Sequence, residues 1–82
     1  MKVYISCDME GCSGTAYRAQ MREDPSSPGA YKRAQRFLTD DVRAAIDGVL
    51  SLYPDAEIWF NDAHGRSMNV MFEEFPENVY TV

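Results

Sequence analysis

Scarcity is the first information in this sequence. Its 82 residues include one histidine, one tryptophan and two cysteines. Two cysteines cannot build a disulfide framework, and the spacing of Cys7 and Cys12 matches neither a CxxC redox pair nor a four-cysteine zinc cluster. A disulfide between them would be strained, so buried free thiols in a reducing compartment are expected. Basic residues are also few. Eight Lys and Arg stand against thirteen Asp and Glu, a net charge of −5, and no basic cluster interrupts the acidic balance. Such a surface repels phosphate backbones and anionic headgroups, which argues against nucleic acid and membrane partners. Long apolar runs are missing as well. The stretch Val3-Tyr4-Ile5 reaches Asp8 and Glu10 too soon for a signal peptide or a membrane span. A cytoplasmic protein is expected.

With 45% hydrophobic and 26% charged residues, the composition is that of an ordinary soluble globular chain, and its length permits one small domain. Val3–Cys7 is rich in β-branched and aromatic types and reads as a strand buried on both faces, as in a parallel sheet. Gly11-Cys12-Ser13-Gly14 is a loop, and Thr15 to Pro28 is a connection with little regular structure. A long helix follows, with Ser27 as N-cap and Pro28 in its first position. Its apolar face is Tyr31, Ala34, Leu38, Val42, Ala45, Ile46, Val49 and Leu50, and Lys32, Arg36, Asp40, Arg43 and Asp47 lie opposite. Thr39-Asp40 is a candidate second N-cap, and Pro54 ends the helix. Ala56–Phe60 reads as a second strand, Asn61–Gly65 as a polar turn, and Ser67–Phe75 as a short helix with Met68, Met71 and Phe72 packed inward. Val79–Val82 starts a third strand. The expected fold class is α/β: a parallel-sheet βαβ unit with a short second helix, residues 1–82 forming the N-terminal part of a single domain. A sheet that stops at an apolar edge suggests that the chain is cut short.

Ligands of open parallel sheets bind beyond the carboxyl ends of the strands. Asp8 and Glu10 follow the first strand there, and His64 follows the second. If residues 8–10 are extended, the two-residue period puts both carboxylates on one side. Two carboxylates and an imidazole are the donor set of many hydrolytic zinc sites, and carboxylates can bridge two metals. The plainer alternatives are a turn capped by Asp8, a solvated Glu10 and a surface His64. Asp62, two residues before His64, is within reach of the second ring nitrogen, or else makes an Asx turn with Asn61. Asp8 as the aspartyl nucleophile of a magnesium-dependent phosphoryl hydrolase is a further alternative, weakened because the second acid is Glu10. The glycines 11 and 14 complete no nucleophile elbow, dinucleotide fingerprint or P-loop.

The stretch Val3-Tyr4-Ile5-Ser6-Cys7-Asp8-Met9-Glu10-Gly11-Cys12-Ser13-Gly14 resembles the opening of the bacterial zinc-dependent D-aminopeptidases associated with dipeptide-transport operons. Asn61-Asp62-Ala63-His64-Gly65, followed by Met68-Asn69, is similar to that family's second signature. The helical segments Arg36–Val42 and Ala45–Gly48 fit its pattern too. The resemblance implies a cocatalytic pair of zinc ions with Asp8 as bridging carboxylate and Glu10 and His64 as further ligands. It also implies hydrolytic release of N-terminal D-amino acids, notably D-alanine, from short peptides, and assembly into homo-oligomeric rings. The family's remaining ligands, a second His and a Glu, and a His proposed to act in catalysis have no counterpart in these residues. The 82-residue chain alone is therefore expected to be inactive, and the competing expectation is a non-catalytic remnant that binds metal weakly or needs a partner.

Overall fold

The structure is a computed structural model that describes residues 1–65 and 69–82. Strand β1 (Lys2–Cys7) leads through a long connection into helix α1 (Ala30–Leu52). Strands β2 (Glu57–Asp62) and β3 (Val79–Thr81) follow. All pairings are parallel, in the order β1-β2-β3. This is the α/β arrangement that the alternation of β-rich and helical segments predicts.

The core lies between α1 and one face of the sheet. Ala30, Ala34, Leu38, Val42 and Ile46 are buried at four-residue steps, so a single helical stripe faces the strands. Ile58 and Phe60 of β2, Val79 of β3 and Met9 complete the cluster. Val3, Ile5 and Cys7 pack against it from β1. The expectation of a first strand buried on both faces is corrected: β1 alternates, and Tyr4 is 59% exposed. Among the described residues only one face of the sheet carries a helix. The register Tyr4–Trp59–Tyr80 forms an aromatic row on the other, with Trp59 and Tyr80 centroids 4.9 Å apart.

Several boundaries differ from the sequence reading for local reasons. Ser27 and Pro28 lie outside α1, because Asp24 closes a turn on the Ser26 amide and the chain enters the helix through Gly29 at φ 83°. That left-handed conformation favours glycine. Thr39 starts no second helix. Its hydroxyl donates to the Gln35 carbonyl at 2.7 Å inside an uninterrupted α1. Ala45 is exposed, being rotated off the stripe. The connection before α1 contains a 3-10 turn, Arg18–Gln20. Residues 61 and 62 belong to β2 rather than to a turn.

Of the predicted helix 67–75, the described part holds only a 3-10 turn, Phe72–Glu74; Ser67 and Met68 lie outside the described residues. The amides of Asn69 and Val70 are bound by Asp62 and that of Met71 by Thr39, so helical carbonyls have no claim on them. Phe72 is 43% exposed although its ring stacks on Phe60. No helix among the described residues is long and apolar enough to cross a membrane.

Candidate functional site

β1 and β2 are neighbours in register, with Cys7 opposite Asp62, so the loops that follow them leave the sheet side by side. The Ala63 amide donates to the Cys7 carbonyl at 2.8 Å and extends the pairing one step past β2. Residues 8–12 do not continue as a strand; a turn closes from the Cys12 amide to the Met9 carbonyl. The alternation of sides nevertheless survives. Met9 is wholly buried in the core, while Asp8 and Glu10 are exposed on either side of it. Burial of one apolar side chain thereby turns both neighbouring carboxylates outward.

Asp8, Glu10 and His64 converge. One donor atom from each lies within 4.8 Å of the others, the one such group among the described residues. His64 Nδ1 is 2.8 Å from Asp8 Oδ1 and 3.1 Å from Glu10 Oε1. The other ring nitrogen, Nε2, is 2.7 Å from the carbonyl oxygen of Met21. A carbonyl can only accept, so Nε2 carries a proton, and once Nδ1 gave up its own the ring would present a lone pair there, beside the two carboxylates. This is the polarity a metal ligand needs, and mixed carboxylate and imidazole donors suit zinc.

With no cation between them, the three side chains satisfy one another as an ion pair. Burial lowers the affinity of His64 for a proton, but the Met21 hydrogen bond, the Asp8 hydrogen bond and the charges of Glu10 and Asp8 outweigh it, and the imidazole titrates above its ordinary value. For Asp8, partial burial pulls upward, yet hydrogen bonds from His64 and the Met9 amide hold its carboxyl below the usual range. A proton on Nδ1 therefore occupies the place where a divalent cation would sit.

The structure gives Asp62 a different task from the one the sequence suggests. Neither ring nitrogen of His64 meets it. The buried carboxylate instead accepts the amides of Asn69 at 2.6 Å and Val70 at 2.8 Å, the Asn69 side-chain amide at 2.9 Å, and the His64 amide at 3.4 Å. The last is the Asx-type contact. Asn69, itself buried, also donates to the His64 carbonyl. Asp62 thus folds the loop that carries the imidazole and leaves the ring to other partners.

Three contributors escape a reading by residue type. Met21 acts through its backbone, and Gln20 and Asp41 act on backbone groups of the β1 loop. Asp41, on α1, accepts the Ser13 amide at 2.8 Å. Gly14, at φ 80°, lies so close to the Phe37 ring that a Cβ there would approach it to 3.0 Å. The close approach and the left-handed backbone both require glycine. The cysteines flank the site as free thiols. Burial, then the charge of Asp62, pushes the Cys7 thiol up to about 11, and burial followed by Asp41 raises Cys12. Both thiols are therefore held in the protonated form in the metal-free chain. A cavity of about 530 Å³ opens on the Nε2 side of His64, lined in part by Met21, Arg22, Tyr31, Gly65 and Asn69.

Compared with models of protein families, residues 1–82 match the one described as D-aminopeptidase. No curated protein and no solved structure matches the chain with significance.

Proposed function

The chain belongs to the D-aminopeptidase family, and from that premise we propose that Asp8, Glu10 and His64 are metal ligands of a zinc peptidase that releases N-terminal D-amino acids from short peptides. The observation that carries this reading is the convergence of three donor atoms, from two neighbouring strand ends, within 4.8 Å. Zinc bound there would supply Lewis-acid polarisation of the scissile carbonyl and a water of lowered pKa. The chain's own contribution is placement. Met9 anchors the carboxylate pair from below, Asp62 folds the loop bearing His64, and the Met21 carbonyl accepts the Nε2 proton, so that Nδ1 would be the nitrogen left for an ion. By the family resemblance, Asp8 would be the carboxylate that a two-zinc centre shares.

A two-metal centre needs more imidazole and carboxylate donors than these residues offer, since His64 is the one histidine. We accordingly propose that the 82-residue chain binds a single ion and that turnover, like homo-oligomer formation, belongs to a chain with the complete ligand set. The same reading assigns short D-amino-acid peptides, and neither nucleic acid nor membrane, as partners. Family membership favours it over phosphoryl hydrolysis through Asp8.

Zinc titration calorimetry tests the site. The parent chain is expected to bind one ion, with binding abolished by Asp8→Ala and by His64→Ala. Parent-like binding in both variants would remove the assignment. Chelator-sensitive release of D-alanine from D-Ala-D-Ala by the 82-residue chain would overturn the single-ion, inactive part of the reading.

A further inference from the structure

Beyond the loop that carries Asp8 and Glu10, the connection between β1 and α1 reaches the site through a main-chain atom. Met21 brings its carbonyl oxygen to His64 Nε2 across more than forty positions of sequence. What holds that carbonyl in place is Gln20. This residue is 6% exposed, one of few buried polar residues among those described. Its Oε1 accepts the amides of Ala16 at 2.6 Å and Tyr17 at 3.0 Å, and its Nε2 donates to the Gly14 carbonyl at 2.7 Å. Three backbone groups of the connection are thereby gathered around one buried amide.

The turn Arg18–Gln20 then closes through Gln20 N to Tyr17 O and Met21 N to Arg18 O, which aims the next carbonyl at the imidazole. The gathered segment is itself fastened to α1, by Gly14 against the Phe37 ring and by Asp41 on the Ser13 amide. A mechanical path therefore runs from the helix, through the Gln20-centred turn, to the ring of the site's histidine.

We infer that Gln20 is a positioning residue for the metal centre, acting through the Met21 carbonyl to fix the rotation and tautomer of His64. The inference rests on the reading that His64 Nδ1 is a metal donor. A metal-bound histidine commonly donates its other N–H to a carbonyl or carboxylate, and loss of such a partner typically lowers metal affinity about 10–100-fold. Here the partner is a main-chain oxygen, which substitution cannot remove, so the side chain that places it is the accessible handle. Asp8 and Glu10 draw the ring's last proton toward Nδ1; without the Met21 acceptor nothing holds it on Nε2, and the metal-donating lone pair would be lost.

The test uses the full 82-residue chain, Gln20→Leu, zinc alone as the ligand, and ring N–H NMR of the metal-free protein at a pH where the imidazole carries both protons. The parent should show a hydrogen-bonded, slowly exchanging Nε2–H held by the Met21 carbonyl. Gln20→Leu should lose that signal and bind zinc about 10–100-fold more weakly, with amide signals of α1 and the sheet unchanged. Parent-like affinity with the Nε2–H signal retained in Gln20→Leu would overturn the inference. If that variant does not fold, Gln20→Glu, which loses the donor to the Gly14 carbonyl, takes its place under the same two outcomes. Failure of the parent to bind zinc is a separate outcome that removes the proposed site, while the ring N–H still reports on Gln20 and Met21.

Discussion

The loops that leave β1 and β2 arrive at the same place by different means. The β2 loop is organised from inside. A buried carboxylate, Asp62, collects three backbone amides and the Asn69 side chain, and Asn69 closes back on the His64 carbonyl. The β1 loop is organised from outside. Its anchors are the core methionine, Asp41 and Phe37 on α1, and Gln20 in the connection beyond it. The side chains they present differ accordingly. His64 is held at both ring nitrogens and is mostly shielded, while Asp8 and Glu10 are about half exposed. In the proposed metal site, a rigid imidazole beside two adaptable carboxylates would let one fixed donor set the location of an ion.

Substitutions can separate these two designs. The largest loss of stability should come from the platform beneath both loops. Leu38→Ala, at a fully buried position, is expected to cost about 2–5 kcal/mol in denaturant unfolding, by lost burial and the cavity left behind. Equal weakening of both loops in hydrogen exchange would show that they share this platform.

Asp62→Ala should come next and act on one loop. It leaves the buried amides of residues 69 and 70 without their acceptor, which costs about 1–3 kcal/mol. Exchange should accelerate at residues 64 and 69–71 and not at residues 12–17. Acceleration in both loops alike would break the distinction drawn between them.

Asp8→Ala should reverse the pattern. An exposed ion pair contributes little, so stability should change by no more than about 1 kcal/mol while zinc binding disappears. A large loss of stability here would mean that the carboxylate is structural.

The pH dependence of the metal-free chain sharpens the electrostatic side. His64 titrates above its ordinary 6.5, so its contribution is complete below that value and is lost as pH rises through the elevated one. Asp8 titrates below its ordinary 3.8, so its contribution is present above that value and is lost as pH falls through the lowered one. Melting temperature should therefore be highest between these limits, and His64→Ala should flatten the alkaline side of the curve. Zinc affinity should move the other way with pH. It should rise as the Nδ1 proton is released, because ion and proton compete for one position.

The smallest effect is expected at an exposed ion pair on α1. Arg36 pairs with Glu74 at 2.5 Å and with Asp40 at 2.7 Å, and its hydrogen bonds to Glu74, with its charge, hold that carboxyl below the usual range. The group is solvent-facing, so Arg36→Ala should lower the melting temperature less than any substitution above, and the difference should shrink in high salt.

How much was legible in the sequence differed between these regions. The buried stripe from Ala34 to Ile46 and the strands around Ile5, Ile58 and Val79 follow from periodicity, because burial of one face imposes a repeat on the residues that supply it. Helix ends were less legible. The entry through Gly29 depends on a turn built by Asp24, and the non-helical path of residues 69–71 depends on amides captured by Asp62 and Thr39. Those captures join positions distant in sequence and leave no local pattern.

By itself, the sequence determined the α/β class, the helical stripe that forms the core, and the three residues whose chemistry and strand-end location make a metal site conceivable. Each of these depends on side-chain type at short spacing. The tertiary structure alone decided that Asp8, Glu10 and His64 meet within bonding distance, that Asp62 serves the backbone and not the ring, and that Met21 faces Nε2. Register between parallel strands and the path of a long connection settle those three. The decisive groups there are backbone amides and carbonyls, which every residue carries alike.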